Sequence, residues 1–233
     1  RGKIEKIVDD IKADSVVFLI NAIYFNGKWT REFDASKTKP ERFTTASGSA
    51  KQVPLMRQKG TYSYLEEPDF QAISLPYGNG RLSMYVFLPA EASSLKAFHG
   101  SLTADNWNKW MNGFDKGEGE IAFPRFNVEY EVELTHALKS LGIRSAFDPQ
   151  NADFGAMIRG PLAYISAVKH KAVAEVTEEG TVAAAATSTE MRVVSMQIPN
   201  RTFRMIVNRP FLFAITDNTS GLILFIGSVA DPS

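Results

Sequence analysis

The run from Ser15 to Phe25 constrains the fold of this chain more than any other segment. It is apolar, β-branched or aromatic almost throughout, broken only by Asn21. A strand with one wet face would alternate with polar residues. This run does not, so it reads as a strand buried on both faces. A chain that holds such a strand must build a sheet covered on each side. Composition permits this, since 44% of the 233 residues are hydrophobic.

Elsewhere, strand patterns outnumber helical ones. Gly2 to Asp14 carries Ile4, Ile7, Val8 and Ile11 at helical spacing. Phe43 to Met56 and Tyr62 to Leu75 read as strands. Asn79-Gly80, set between two apolar runs, predicts a hairpin. Leu95, Phe98, Leu102, Trp107 and Trp110 predict one or two short helices within Ser93 to Asn112. Ile121 to Tyr130 alternates but changes phase at Pro124, which predicts a bulge or an edge position. Val132, Leu134, Leu138 and Leu141 form one helical stripe within Glu131 to Leu141, stopped at Gly142. Leu162 to Thr177, Phe203 to Asp217 (broken at Pro210) and Leu222 to Val229 are further strands, the last two joined by a turn at Asn218 to Gly221. The class is α+β, with mostly antiparallel sheets and a few helices.

Several functions are disfavoured at once. Charges balance at 26 against 26, which argues against a nucleic-acid surface. The chain has no cysteine, so disulfides, thiol catalysis and Cys-ligated zinc are excluded, while the compartment stays open. His99, His136 and His170 are too scattered to signal a metal, and no cofactor motif appears. Asp153, His170 and Ser195 supply the residue types of a triad, but no nucleophile elbow accompanies them, so the chain does not read as an enzyme. The aliphatic run Val16 to Ile20 is too short for a bilayer, so no membrane partner is expected. No signal peptide opens the chain, and Arg1 is not an initiator. Asn200-Arg-Thr202 and Asn218-Thr-Ser220 are glycosylation sequons, a pattern that arises readily by chance.

The segment from Glu178 to Met196 breaks the pattern. It is too long for an ordinary connection, and its four alanines taken alone predict helix or a surface linker. Its parity says more. In an extended chain Thr181, Ala183, Ala185, Thr187, Thr189 and Met191 share one face, free of charge and of bulk before Met191. Both charges, Glu190 and Arg192, fall on the other face. Such a segment can be an exposed loop or a buried strand, and two competitive states make a switch.

At this point the residues match a known family. Val17-Phe-Leu-Ile-Asn-Ala-Ile-Tyr-Phe-Asn-Gly-Lys-Trp29, Leu75-Pro-Tyr77, Met84-Tyr-Val-Phe-Leu-Pro89, Phe123-Pro-Arg-Phe126 and Leu138-Lys-Ser-Leu-Gly-Ile143 occur in order, followed by Phe147 and Ala152-Asp-Phe154. His170-Lys-Ala172, Glu178-Glu-Gly-Thr181 and Met205 to Ile215 around Asn208-Arg-Pro-Phe211 complete the series. The chain resembles the serpins, serine protease inhibitors with a metastable fold and an exposed or inserted reactive loop. The resemblance spans Arg1 to Pro232, so residues 1–233 are expected to form a single serpin domain with hinge and reactive loop at 178–200.

The resemblance implies roles for particular residues. The hinge would be Gly180, Thr181, Val182, Ala183, Ala184, Ala185 and Ala186, with Thr181 the first side chain to enter the main sheet. The usual loop length places the reactive bond at Val194-Ser195. Val194 suits an elastase-like target. A register shifted by two would set Arg192 there and point to a trypsin-like one. Asn21 and His170 match a polar pair beneath the sheet opening, and Trp29 the aromatic at its top. The implied partner is a serine protease held as a covalent acyl complex, and the implied location is extracellular. Non-inhibitory members tend to carry charged or bulky hinge residues; the small uncharged set here favours an inhibitor over a carrier or chaperone. The family's long N-terminal part has no counterpart before Arg1. Either the chain is a fragment or a complementary chain supplies that part, and the 233 residues alone are expected neither to inhibit nor to behave as a monomer.

Overall fold

The computed structural model describes residues 17–157, 163–181 and 202–232. The chain divides into two compact units, Arg1–Phe25 with Val128–Ala174, and Asn26–Asn127 with Glu175–Ser233. In chain order the elements are β1 Val17–Tyr24, β2 Gly27–Lys28, β3 Lys39–Thr44, β4 Ala50–Glu67, β5 Phe70–Tyr77, β6 Leu82–Pro89, α1 Leu95–Ser101, α2 Ala104–Asn112, β7 Asp115–Pro124, β8 Phe126–Glu133, α3 Thr135–Ser140, β9 Ile165–Val176, β10 Gly180–Thr181, β11 Thr202–Ile206, β12 Phe211–Asp217 and β13 Ile223–Val229. The predicted α+β character holds. Two pairings, β1 with β9 and β11 with β7, are parallel.

In the first unit β1 pairs with β9 from Val17↔Ile165 to Tyr24↔Val173, with Asn21 opposite His170. β8 also pairs with β9. A small core of Phe147, Ile165 and Val168 is joined by Val17, Leu134, Leu138, Ala146 and Phe154. The helix predicted from Glu131 begins later. β8 runs on to Glu133, whose carboxylate accepts from the Thr135 backbone N–H at 2.9 Å. The apolar stripe ends with Leu138, leaving Leu141 80% exposed before Gly142 stops the helix at φ 101°.

Of the strand expected from Ser15 to Phe25, Val17–Tyr24 is present, but burial on both faces is not. Leu19 is 45% and Ile20 51% exposed. Successive strand residues point to opposite faces, so among the described residues neither face of mid-β1 is covered. Apolar character on both faces becomes burial only where a further layer covers each face.

The second unit holds an eight-stranded sheet in the order β11-β7-β4-β5-β6-β12-β13, with β3 paired to β4. Here the predicted strand boundaries fail. A turn at Thr45–Ser49, with Gly48 at φ 83°, splits the first expected strand, and Pro68-Asp69 splits the second. Between them one long β4 runs through the polar stretch Arg57 to Gly60. Distant partners make that possible. Arg57 lies 2.8 Å from both Glu41 and Glu120, and Gln58 donates to the Glu32 carbonyl at 2.7 Å.

Pro124 marks no bulge but does sit at an edge, since β11 pairs with β7 only as far as Ile206↔Ala122. It ends β7, where it still pairs with Leu55, and β8 begins after Arg125. The phase change lets Phe123 and Phe126 both be buried, their rings 5.9 Å apart and perpendicular. The two helices between β6 and β7 are as predicted, capped by the Ser94 and Thr103 hydroxyls. They bring Phe98 and Trp110 onto Phe70 and Phe87, with ring centroids 5.0 to 5.9 Å apart. The Asn79-Gly80 hairpin and the Asn218 to Gly221 turn also stand where expected, with Gly80 at φ 84° and Gly221 at φ 72°.

Exposed apolar side chains on both faces of β1 should drive self-association of the 233-residue chain. Sedimentation of that chain across a concentration series is expected to show oligomers. A monomer throughout, with cooperative unfolding, would contradict this.

Candidate functional site

The segment expected to form the long loop opens, within the described residues, on a two-residue turn. Thr177 and Gly180 exchange backbone hydrogen bonds, 2.8 Å from the Thr177 N–H and 3.3 Å from the Gly180 N–H, around Glu178-Glu179. The turn folds β10 back onto the end of β9, pairing Thr181 with Val176. On its other edge β10 pairs with β2, Gly180 opposite Lys28 and Thr181 opposite Gly27. Gly180 has φ 146°, and a Cβ there would meet the Gly27 carbonyl oxygen and come within 2.7 Å of the Lys28 Cα. Only glycine fits.

Thr181 is fully buried, and its hydroxyl shares a 2.8 Å hydrogen bond with the Tyr77 hydroxyl. Burial pushes the Tyr77 phenol well above its ordinary range, against the effect of that bond, so it stays neutral. Trp29 stacks on Tyr77 at 4.4 Å and meets the Phe33 ring edge-on at 6.2 Å. The Trp29 indole N–H donates to the Thr177 carbonyl at 2.9 Å, and its backbone N–H to the Glu179 carbonyl at 3.0 Å. The Phe33 N–H takes the Glu178 carbonyl at 2.9 Å. Both carbonyls of the turn's central residues are thereby satisfied.

Glu178 is buried, with its carboxylate gripped from outside the turn. Arg125 reaches both oxygens, Nε lying 2.8 and 2.6 Å away, and the Thr38 hydroxyl donates at 2.5 Å. Desolvation favours the neutral acid, but the hydrogen bonds from Arg125 and Thr38 outweigh it and hold the carboxyl below its usual range. By contrast Glu179 Oε2 is buried and accepts no hydrogen bond among the described residues, a cost to the turn.

Serpin (serine protease inhibitor) is the family whose model matches residues 1–232. The chain belongs to the serpin family. Human Serpin B11 is 37% identical over 226 residues, and human Serpin B7 37% over 238, covering 95% and 99% of this chain but 57% and 60% of theirs. The serpin chain described here thus spans under two thirds of the length of these relatives. A native thermophilic serpin, tengpin, superposes with a TM-score of 0.84 at 31% identity, over 99% of this chain and 59% of its own. Human thyroxine-binding globulin complexed with thyroxine gives 0.84 at 26% identity, over 97% and 59%.

Of the residues expected to act in this serpin, Gly180, Thr181 and Trp29 lie together at the loop base. Asn21 and His170 are partners across the β1–β9 ladder of the other unit, Asn21 exposed and His170 half-buried. Val182, Ala183, Ala184, Ala185, Ala186, Arg192, Val194 and Ser195 lie outside the described residues. The sequence does not single out Tyr77, Thr38 and Arg125, which the structure places against Thr181 and Glu178. No local signal marks them, since their partners are 104, 140 and 53 residues away.

The Glu178 carboxyl is lower in the folded state, so its contribution is complete above the ordinary carboxylate range and lost as pH falls through the folded value. Glu178→Gln is expected to cost about 2 kcal/mol at neutral pH, because Arg125 is left with a weaker partner. The deficit should shrink toward about pH 3. Urea unfolding of both proteins at the two pH values checks this; an equal deficit at both would contradict it.

Proposed function

We propose that the protein inhibits serine proteases as a suicide substrate. The fully buried Thr181, already paired as a strand at the base of a loop of small uncharged residues, is the observation that carries this reading. The protease serine oxygen attacks the Val194 carbonyl. An ester forms, and the amine of Ser195 leaves with a proton. The freed segment then continues the strand that Gly180-Thr181 has begun. Carried forward, the Thr181↔Val176 register sets Ala183 against Ala174 and Ala185 against Ala172. Small side chains meet small ones along that path. The rest of the length found in its relatives, on the same or a separate chain, is required to cover β1.

The likeness to thyroxine-binding globulin means that the fold by itself does not separate inhibitors from carriers. The small uncharged hinge side chains favour an inhibitor. A charge on the inserting face would have to be buried in a packed sheet at a cost of kilocalories. Thr181→Arg or Ala183→Pro is therefore expected to convert inhibitor to substrate, read as complete cleavage without an SDS-stable adduct. A stable adduct from either variant would overturn the insertion step while leaving the reactive bond in place.

Val194 suits a small apolar primary pocket, so the targets we propose are elastase-like. Mass spectrometry of the full-length protein after exposure to elastase-like and trypsin-like proteases is expected to show cleavage between Val194 and Ser195. Cleavage after Arg192 alone would transfer the assignment to trypsin-like enzymes.

A further inference from the structure

The inhibitory reading leaves two sequence motifs without a role, the Asn79-Gly80 pair and the sequon at Asn218. The structure joins them. The Asn218 amide nitrogen donates to the Gly80 carbonyl and to the Ser83 hydroxyl, each at 2.8 Å. Its amide oxygen accepts from the Tyr85 hydroxyl at 3.1 Å, and its backbone N–H donates to the Arg81 carbonyl at 2.8 Å. Beside it, the Asp217 carboxylate lies 3.0 Å from Arg81 Nε. Both hydrogens of the Asn218 amide are spent on the β5–β6 hairpin and its second strand, so this side chain clasps the hairpin shut.

The clasped turn contains a reactive pair. In an Asn-Gly sequence the glycine nitrogen can attack the asparagine Cγ, because no glycine side chain hinders the approach. Here the electrophile is set. Asn79 Oδ1 accepts from the Arg81 N–H at 3.1 Å, a donor placed where negative charge develops during the attack. The nucleophile is masked. The Gly80 N–H donates to the Tyr77 carbonyl at 2.7 Å, which keeps the proton on the nitrogen. Gly80 sits at φ 84°, and its carbonyl is the one that Asn218 holds. The mask lasts only as long as the clasp keeps Gly80 in the turn.

We propose that Asn79 is a site of spontaneous deamidation whose rate is set by the Asn218 clasp. When Gly80 leaves the turn, its nitrogen loses a proton and bonds to Asn79 Cγ. Nδ2 leaves as ammonia, and the product is a succinimide. Water then opens the ring. Addition at Cγ gives aspartate, and addition at the main-chain carbonyl gives isoaspartate, whose backbone runs through Cβ and Cγ. The extra backbone atom falls beside the loop base. There the Gly78 N–H donates to the Lys28 carbonyl at 2.8 Å, the Gly78 carbonyl accepts from the Thr30 hydroxyl at 2.8 Å, and Tyr77 holds Thr181. Isoaspartate at this position therefore loosens the contacts of Gly78 with Lys28 and Thr30. The inference goes beyond the inhibitory reading and does not rest on it.

Peptide mass mapping of the full-length protein, aged at neutral and at alkaline pH, is the test. The peptide that holds Asn79 is expected to gain one mass unit, faster at alkaline pH, and to become a substrate for isoaspartyl methyltransferase. Asn218→Ala should speed the conversion of the folded protein about tenfold, and Tyr85→Phe, which removes a single clasp bond, about threefold. In urea, where no clasp exists, both variants and the unmodified protein should convert at one rate. If Asn218→Ala fails to fold, Tyr85→Phe carries the test. Asn79→Asp brings the charge without the extra backbone atom and should leave hydrogen exchange of the Gly78 and Thr30 amides unchanged, whereas the isoaspartate product should speed it. No conversion at Asn79 in any folded variant, or equal rates in the folded unmodified protein and the folded clasp variants, would overturn the proposal. Loss of inhibition with Asn79 intact would count against the inhibitory reading instead.

Discussion

At Gly180 the backbone lies so close to Gly27 and Lys28 that no side chain fits. The arrangement of the loop base follows from that contact. It lets the chain reverse in two residues after Thr177 and pair at once with both β9 and β2. Pairing on both edges fixes the direction of Thr181 and drives its side chain into the interior. There a hydroxyl must find a partner, and Tyr77 supplies one. The Tyr77 ring is held in turn by the stacked Trp29, which spends its indole N–H on the turn itself. Each group fixes the next, so a larger residue at Gly180 would displace the whole set.

The turn is nevertheless held at a cost. Glu178 is fully engaged by Arg125 and Thr38, while the neighbouring Glu179 buries an oxygen that has no partner among the described residues. A buried unpartnered oxygen is worth a few kcal/mol against the closed state, comparable with what the Glu178 interactions return. That oxygen is a source of free energy on which a rearrangement of the turn can draw.

Much of this was legible in the sequence where the signal is local. The Asn79-Gly80 hairpin, the two capped helices and the Asn218 turn depend on neighbours within a few residues, and the structure has them as read. The long β4 was not legible. Its polar centre is stabilised by Glu41 and Glu120, distant in sequence, and polar residues at that spacing imitate a turn. At Pro124 the edge position was legible and the bulge was not there, since the phase change marks the end of one strand and the start of another. Gly180, Thr181 and Trp29, which the structure brings together, could be named through family resemblance, because their motifs are contiguous. Tyr77 and Arg125 could not, because what defines them is a contact made only after folding.

The central claim is that the closed loop base is a metastable start of a strand that the cleaved loop completes. Completing it would add backbone hydrogen bonds on two edges at about 0.5–1.5 kcal/mol each, on the order of 10 kcal/mol in all. The decisive measurement is the thermal unfolding midpoint of the full-length protein before and after a single cut in the loop. The account predicts that cleavage raises the midpoint by about 20 °C or more, because the cut frees the strand to enter. An unchanged or lowered midpoint would mean that the loop ends where Thr181 is buried, and the account would be wrong.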